Sequence, residues 1–207
     1  MKEVFLMKAV ASLIGPLIGA HILLAMSFAI YPSSFWPLFT VSSLLLAGYA
    51  LVKSNIVFKK PSLKYMLISI GSGILLYLAF KAGKAIVVSQ IPYFENQLHS
   101  LYTLIQPNKS WHYFVLFAVI IPAEELFWRG FIQKKFSLIT SSNKAILFAA
   151  ILYASAHVYS GTVLLVFAAL FAGTIWGYLY EKSGNLIVPL ISHVLFDYLL
   201  LILFPLL

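Results

Sequence analysis

Residues 111–133 read WHYFVLFAVIIPAEELFWRGFIQ, an apolar run interrupted by Glu124, Glu125 and Arg129. A helix of about 20 apolar residues crosses a hydrocarbon core, so this run predicts a membrane-spanning helix with charges at its middle. Two further runs share that character. AILFAAILYASAH (145–157) ends on His157, and LIVPLISHVLFDYLLLILF (186–204) holds His193 and Asp197. The chain has only 6 acidic residues and 5 histidines, so these runs hold a large share of its titratable groups. A charge at the bilayer centre costs at least about 2.5–3.5 kcal/mol. Such residues persist when they pair, line a wet cavity or do chemistry.

The rest of the chain agrees with a membrane class. Of 207 residues, 62% are hydrophobic and 10% charged, with a mean hydropathy of +0.97; an ordinary soluble domain is about 25% charged. Seven stretches are expected to span: 9–30, 36–52, 65–88, 111–133, 144–159, 161–181 and 185–205. The expected fold is therefore all-α, a polytopic helical bundle forming one integral membrane domain (1–207), with a motif-bearing core at 111–205. Cysteine is absent, which removes disulfides and thiolate metal sites. The first stretch reads as an uncleaved anchor, because its apolar run is longer than a signal peptide's and no small-residue cleavage site follows.

The net charge of +8 follows topology. With the N-terminus cytoplasmic, Lys2, Lys8, Lys53, Lys59, Lys60, Lys64, Lys134, Lys135, Lys144 and Lys182 lie inside. Only Lys81, Lys84 and Lys109 lie outside. That is a strong positive-inside bias, and it predicts a multi-pass cell-membrane protein with an external C-terminus. The lysines meet anionic headgroups of the lipid bilayer; no fold or aromatic platform argues for nucleic acid. Between the third and fourth stretches, Phe94, Leu98, Leu101, Tyr102 and Ile105 recur at helical spacing between Pro92 and Pro107. They predict an amphipathic helix in the outer interface. Ala169, Gly173 and Gly177 form a small-residue ridge for helix packing, and Gly15 with Gly19 reads the same way. Nothing in the sequence specifies an oligomeric state.

Helix geometry separates the ionisable groups into roles. Glu125 and Arg129 are four residues apart, stack on one face and form an internal ion pair. Glu124 is rotated by about 100° from its neighbour, so it is the carboxylate available to another helix. His193 and Asp197 are also four apart, which lets Asp197 orient or charge-stabilise the imidazole. At 1.5 Å per residue, Glu124, His157, His193 and Asp197 all fall about 12–20 Å from the cytoplasmic end. They are expected to converge on one mid-membrane cavity open to the cytoplasm. A lone histidine or a Glu–Arg pair is commonly a packing clamp, but agreement in depth across three helices argues for a shared site. His21, His99 and His112 receive no functional assignment, and Tyr153 and Tyr159 read as cavity walls or interface residues.

These residues resemble a known family. EELFWR (Glu124, Glu125, Arg129) is similar to the EExxxR signature of the CAAX protease and bacteriocin-processing enzymes (CPBP, or Abi). YASAH, ending at His157, resembles the family's FxxxH, and HVLFD (His193, Asp197) its HxxxN/D. Order and spacing agree over about 111–205. The resemblance implies an intramembrane endopeptidase of the glutamic type, acting on a small or membrane-associated peptide or protein, in peptide maturation or bacteriocin self-immunity. It implies that Glu124 and His157 activate water, and that His193 and Asp197 stabilise the oxyanion. Tyr153 departs from the family's Phe. Asp197 departs from the amide of one branch, and an ionised carboxylate cannot donate to an oxyanion.

No cofactor is the primary expectation. The alternative is zinc held by Glu124, His157, His193 and Asp197, although HExxH is absent. The alternative function is a non-catalytic immunity or transport protein that uses the same cluster as a ligand or proton site.

Overall fold

A computed structural model describes residues 2–207, with the side chains of residues 10–207 apart from Ser89. Lys2 and Lys8 of the topology argument therefore lie outside the described side chains. Among the described residues the regular secondary structure is all helical, without strands. Helix α1 (Lys2–Ala25) ends in a π-wound turn, Met26–Ile30, and a short turn at Pro32–Ser34 leads to α2 (Phe35–Lys53). Helix α3 is Leu63–Ile86 and α4 is Pro92–Ile105. Helix α5 (110–137) is one rod with two π-wound stretches. Helices α6 (Ser142–Ala156), α7 (Val163–Ser183) and α8 (Ile187–Tyr198, wound on through Leu203) complete the bundle.

Among the described residues, four segments are long and apolar enough to cross a membrane: Val10–Ile30, Pro32–Lys53, Leu63–Ile86 and Val163–Ser183. Ile187–Leu203 is a shorter apolar helix. The expected spans 111–133, 144–159 and 185–205 are thus not all full-length apolar rods. Helix α5 carries the charges and is broken in its winding, and α6 stops at Ala156. The segments that bear the ionisable groups are those that depart from the plain spanning pattern.

Local chemistry explains the breaks. Pro122 has no N–H for the carbonyl four residues earlier, and its ring crowds that carbonyl. The π-wound turn Leu116–Ile120 directly before it relieves the conflict. The winding stays wide over Leu126–Gln133, where hydrogen bonds span five residues. Glu125, Arg129 and Gln133 stay in line there as a buried polar stripe. Thr162 caps α7 by accepting the Leu165 N–H at 3.2 Å. Gly184 ends it in the left-handed region, φ 59°, where a side chain is disfavoured.

Polar contacts define the two ends of the bundle. At one end Tyr65 donates to the Lys182 carbonyl at 2.7 Å, and Ser142 donates to Glu181. There too Asn185 exchanges hydrogen bonds with the Lys59 backbone, and the Lys134 ammonium meets the Asn55 carbonyl. These contacts gather the lysine-bearing loops at that end. At the other end α4 forms as its spacing predicts, with Leu98, Leu101 and Tyr102 buried. Tyr102 donates to the Leu200 carbonyl at 2.8 Å and accepts the Leu206 N–H at 3.0 Å, clamping the end of the chain.

The ridge on α7 is a packing device as expected. A Cβ on Gly173 would sit 3.0 Å from Tyr153 and 3.3 Å from Arg129 Nη2, and one on Gly177 would sit 2.8 Å from Gln133 Oε1. Gly15 and Gly19 are different: a Cβ there meets nothing within 4 Å. Those two glycines face outward and do not seat a helix, which corrects their reading as a ridge.

Candidate active site

Helix α5 presents the two glutamates in opposite roles, as their rotation requires. Glu125 is fully buried and lies 3.0 Å from Arg129 Nη1. Arg129 also donates to the Gly173 carbonyl at 3.4 Å, and its guanidinium sits over the rings of Tyr153 (4.8 Å) and Trp176 (5.2 Å). The missing Cβ of Gly173 is what lets the guanidinium reach α7. Gln133, one turn further on, donates to the Gly177 carbonyl at 2.9 Å. The expected Glu125–Arg129 ion pair is therefore present.

Glu125 has a second partner that the spacing did not suggest. Its Oε1 lies 2.8 Å from His193 Nδ1. Asp197, expected to orient His193, approaches the other nitrogen, Nε2, and only to 3.6 Å. That is too long for a hydrogen bond, so the orienting carboxylate is Glu125, with Asp197 a charge neighbour. The reason is directional. On one helix turn Asp197 can reach only the outer edge of the ring, whereas Glu125 meets the inner edge from α5. Trp176 stacks on His193 with centroids 3.6 Å apart and planes 18° apart, fixing the ring plane. Close packing seats the helix under it: a Cβ on Gly73 would lie 2.8 Å from the Ser192 carbonyl, and the Ser72 and Ser192 hydroxyls are 2.9 Å apart.

His157 stands where α6 ends, as its C-cap. Its Nδ1 lies 2.8 Å from the Tyr153 carbonyl. A carbonyl only accepts, so Nδ1 carries the proton and Nε2 is left free. Glu124 faces the Nε2 atoms of both rings, with His157 Nε2 at 3.7 Å and His193 Nε2 at 3.9 Å. The Tyr153 hydroxyl donates to Glu124 at 3.3 Å, so the departure from Phe adds a donor to the site. The four groups Glu124, His157, His193 and Asp197 thus converge as their depth predicted. Three carboxyls, one guanidinium and two imidazoles thus share the site.

These groups line a cavity of about 110 Å³ with apolar walls from Phe28, Phe35, Phe39, Ile105 and Leu200. Those walls come from the ends of helices opposite the lysine-bearing loops. The glutamate–histidine gaps of 3.7–3.9 Å exceed a direct hydrogen bond, and the adjoining cavity is large enough to hold water against these groups. Nitrogen and carboxylate donors are chemically suited to zinc. Among the described residues, however, no group of three or more is arranged to hold a metal ion.

Sequence reasoning missed Trp176, Gln133 and the pairing of Glu125 with His193. Trp176 lies beside the glycine ridge on α7, which is the one local signal it carried. His21, left without a companion, in fact lies 3.2 Å from the Tyr159 hydroxyl and 3.4 Å from Ser155 Oγ.

No curated protein and no solved structure matches the chain. Residues 106–199, which carry every ionisable group of the site, match the family model of the Rce1-like type II CAAX prenyl endopeptidases, consistent with the CPBP/CAAX protease family.

Proposed function

We propose that this chain is an intramembrane endopeptidase in which Glu124 activates water for attack on a peptide carbonyl. The observation that carries the reading is the position of Glu124 between two imidazole nitrogens, His157 Nε2 and His193 Nε2, at the wall of a cavity. A water held between Glu124 and His157 gives a proton to the carboxylate while its oxygen bonds to the carbonyl carbon. The carbonyl π pair moves to oxygen. His193, in its doubly protonated form, donates from Nε2 to that oxyanion, with Asp197 beside it and Glu125 holding Nδ1. When the tetrahedral species collapses, the C–N bond breaks and Glu124 returns its proton to the leaving amine. General-base catalysis of this kind contributes about 10²–10⁴ in rate, and a preorganised oxyanion donor about 10²–10³ more.

The proposed mechanism needs no metal. Zinc on Glu124, His157, His193 and Asp197 would supply an activated water instead, but those groups would first have to draw together. The substrate is a peptide or protein whose scissile segment fits an apolar cavity within the membrane. Purified protein in detergent, offered a peptide library and read by mass spectrometry, should give products absent with Glu124→Gln. Cleavage by Glu124→Gln at the wild-type rate would overturn the reading.

A further inference from the structure

We infer that His21, in the first helix and outside the segment matched to the family, is a positioning residue for His157. The inference rests on the proposed role of His157 in water activation. His21 touches the chain on both sides of that residue. The Tyr159 hydroxyl is 3.2 Å from its Nδ1, and Ser155 Oγ is 3.4 Å from its Nε2. Ser155 and Tyr159 are the second neighbours of His157 on either side. The hydroxyl of Ser155 donates to the Leu152 carbonyl at 2.8 Å, so toward His21 it can only accept. This fixes the direction of the whole chain. Tyr159 donates to Nδ1, Nε2–H donates to Ser155 Oγ, and Ser155 donates to Leu152, with His21 neutral and every group satisfied.

The site needs this brace because α6 stops at Ala156 and the chain turns immediately after His157. Beyond His157 the backbone continues only as one 3-10 turn, Val158–Ser160, in which the Ser160 N–H donates to the His157 carbonyl at 3.1 Å. The Nδ1 contact to Tyr153 sets the ring's tautomer, but both it and the turn's own hydrogen bonds are local and do not tie the turn to the first helix. His21 supplies that constraint from a separate helix. Phe28, in the π-wound turn that continues this helix, adds an edge contact to the His157 ring with centroids 6.0 Å apart. Together they tie the N-terminal helix to the end of α6. A displacement near 1 Å at a catalytic group is enough to cost on the order of 10²-fold in rate.

The test uses full-length protein labelled with ¹⁵N-histidine in detergent micelles, with ring tautomers read by long-range ¹H–¹⁵N spectra. In the wild type, His157 should show a single Nδ1–H tautomer. In His21→Ala its ring signals should shift or broaden, those of His193 should stay in place, and the melting temperature should hold. Turnover should fall about 10- to 100-fold in kcat with KM little changed. His21→Gln, which keeps one donor and one acceptor, should restore most of both signals. Tyr159→Phe, which keeps the ring and loses one hydrogen bond, should move His157 in the same direction by less. That variant decides the matter if His21→Ala does not fold. Unchanged His157 spectra in His21→Ala and Tyr159→Phe would overturn the inference. The spectra decide this even if wild-type protein cleaves no peptide, so failure of the peptidase reading remains a separate result.

Discussion

Replacing Arg129 with Ala should unfold the protein's centre before it alters its chemistry. The guanidinium lies 3.0 Å from Glu125 Oε1, both side chains are essentially without solvent, and Arg129 covers the faces of Tyr153 and Trp176. Truncation leaves Glu125 with His193 as its one close partner and empties the space between α5 and α7. Breaking a buried pair in this way costs about 3–5 kcal/mol, a large part of the roughly 5–15 kcal/mol that keeps a protein folded. For a chain of this length each kcal/mol moves the melting temperature by about 2–4 °C, so a fall of about 6–20 °C is expected. Tryptophan fluorescence during heating in mild detergent measures it. Arg129→Met combined with Glu125→Gln removes both charges while keeping volume, and it should recover much of the loss, because a neutral pair carries no buried charge. A melting temperature for Arg129→Ala within about 2 °C of wild type would refute the argument that this pair supports the bundle.

Three other outcomes are expected. Gly173→Ala should lower stability by about 1–3 kcal/mol, since its Cβ would press on Tyr153 and Arg129, whereas Gly48→Ala, with nothing within 4 Å, should not; paired melting curves measure the difference. Asp197→Asn should keep turnover, because the amide retains the shape beside His193 and can itself donate, and 1,10-phenanthroline should leave that turnover intact. Stoichiometric zinc with a dead Asp197→Asn variant would reassign the mechanism. Burial pushes the Tyr102 phenol up to about 12, against about 10 when unfolded. Its contribution to stability is complete below pH ~10 and is lost as pH rises toward ~12, so wild type should lose stability over that window faster than Tyr102→Phe.

The helical membrane class, the amphipathic helix at Pro92–Ile105, the Glu125–Arg129 pair and the convergence of four groups at one depth were all legible in the linear chain. Composition and periodicity are local quantities. A helix converts sequence position into depth at a constant rise, so depth can be read without knowing how helices are arranged around one another. That arrangement is not local. Which face of α5 meets which face of α8 depends on side-chain packing, and on the widened winding that Pro122 imposes early in α5.

For this reason only the tertiary structure showed that Glu125, reaching from another helix, orients His193 in place of Asp197. Trp176 stacked on His193, and His21 bracketing His157 from the first helix, belong to the same class of contact. Each joins residues far apart in sequence, with no spacing to announce them. Which residues wall the cavity was decided in the same way. Lysine counts place loops on a side of the membrane, but where empty space remains between helices is set by how their apolar side chains fill it.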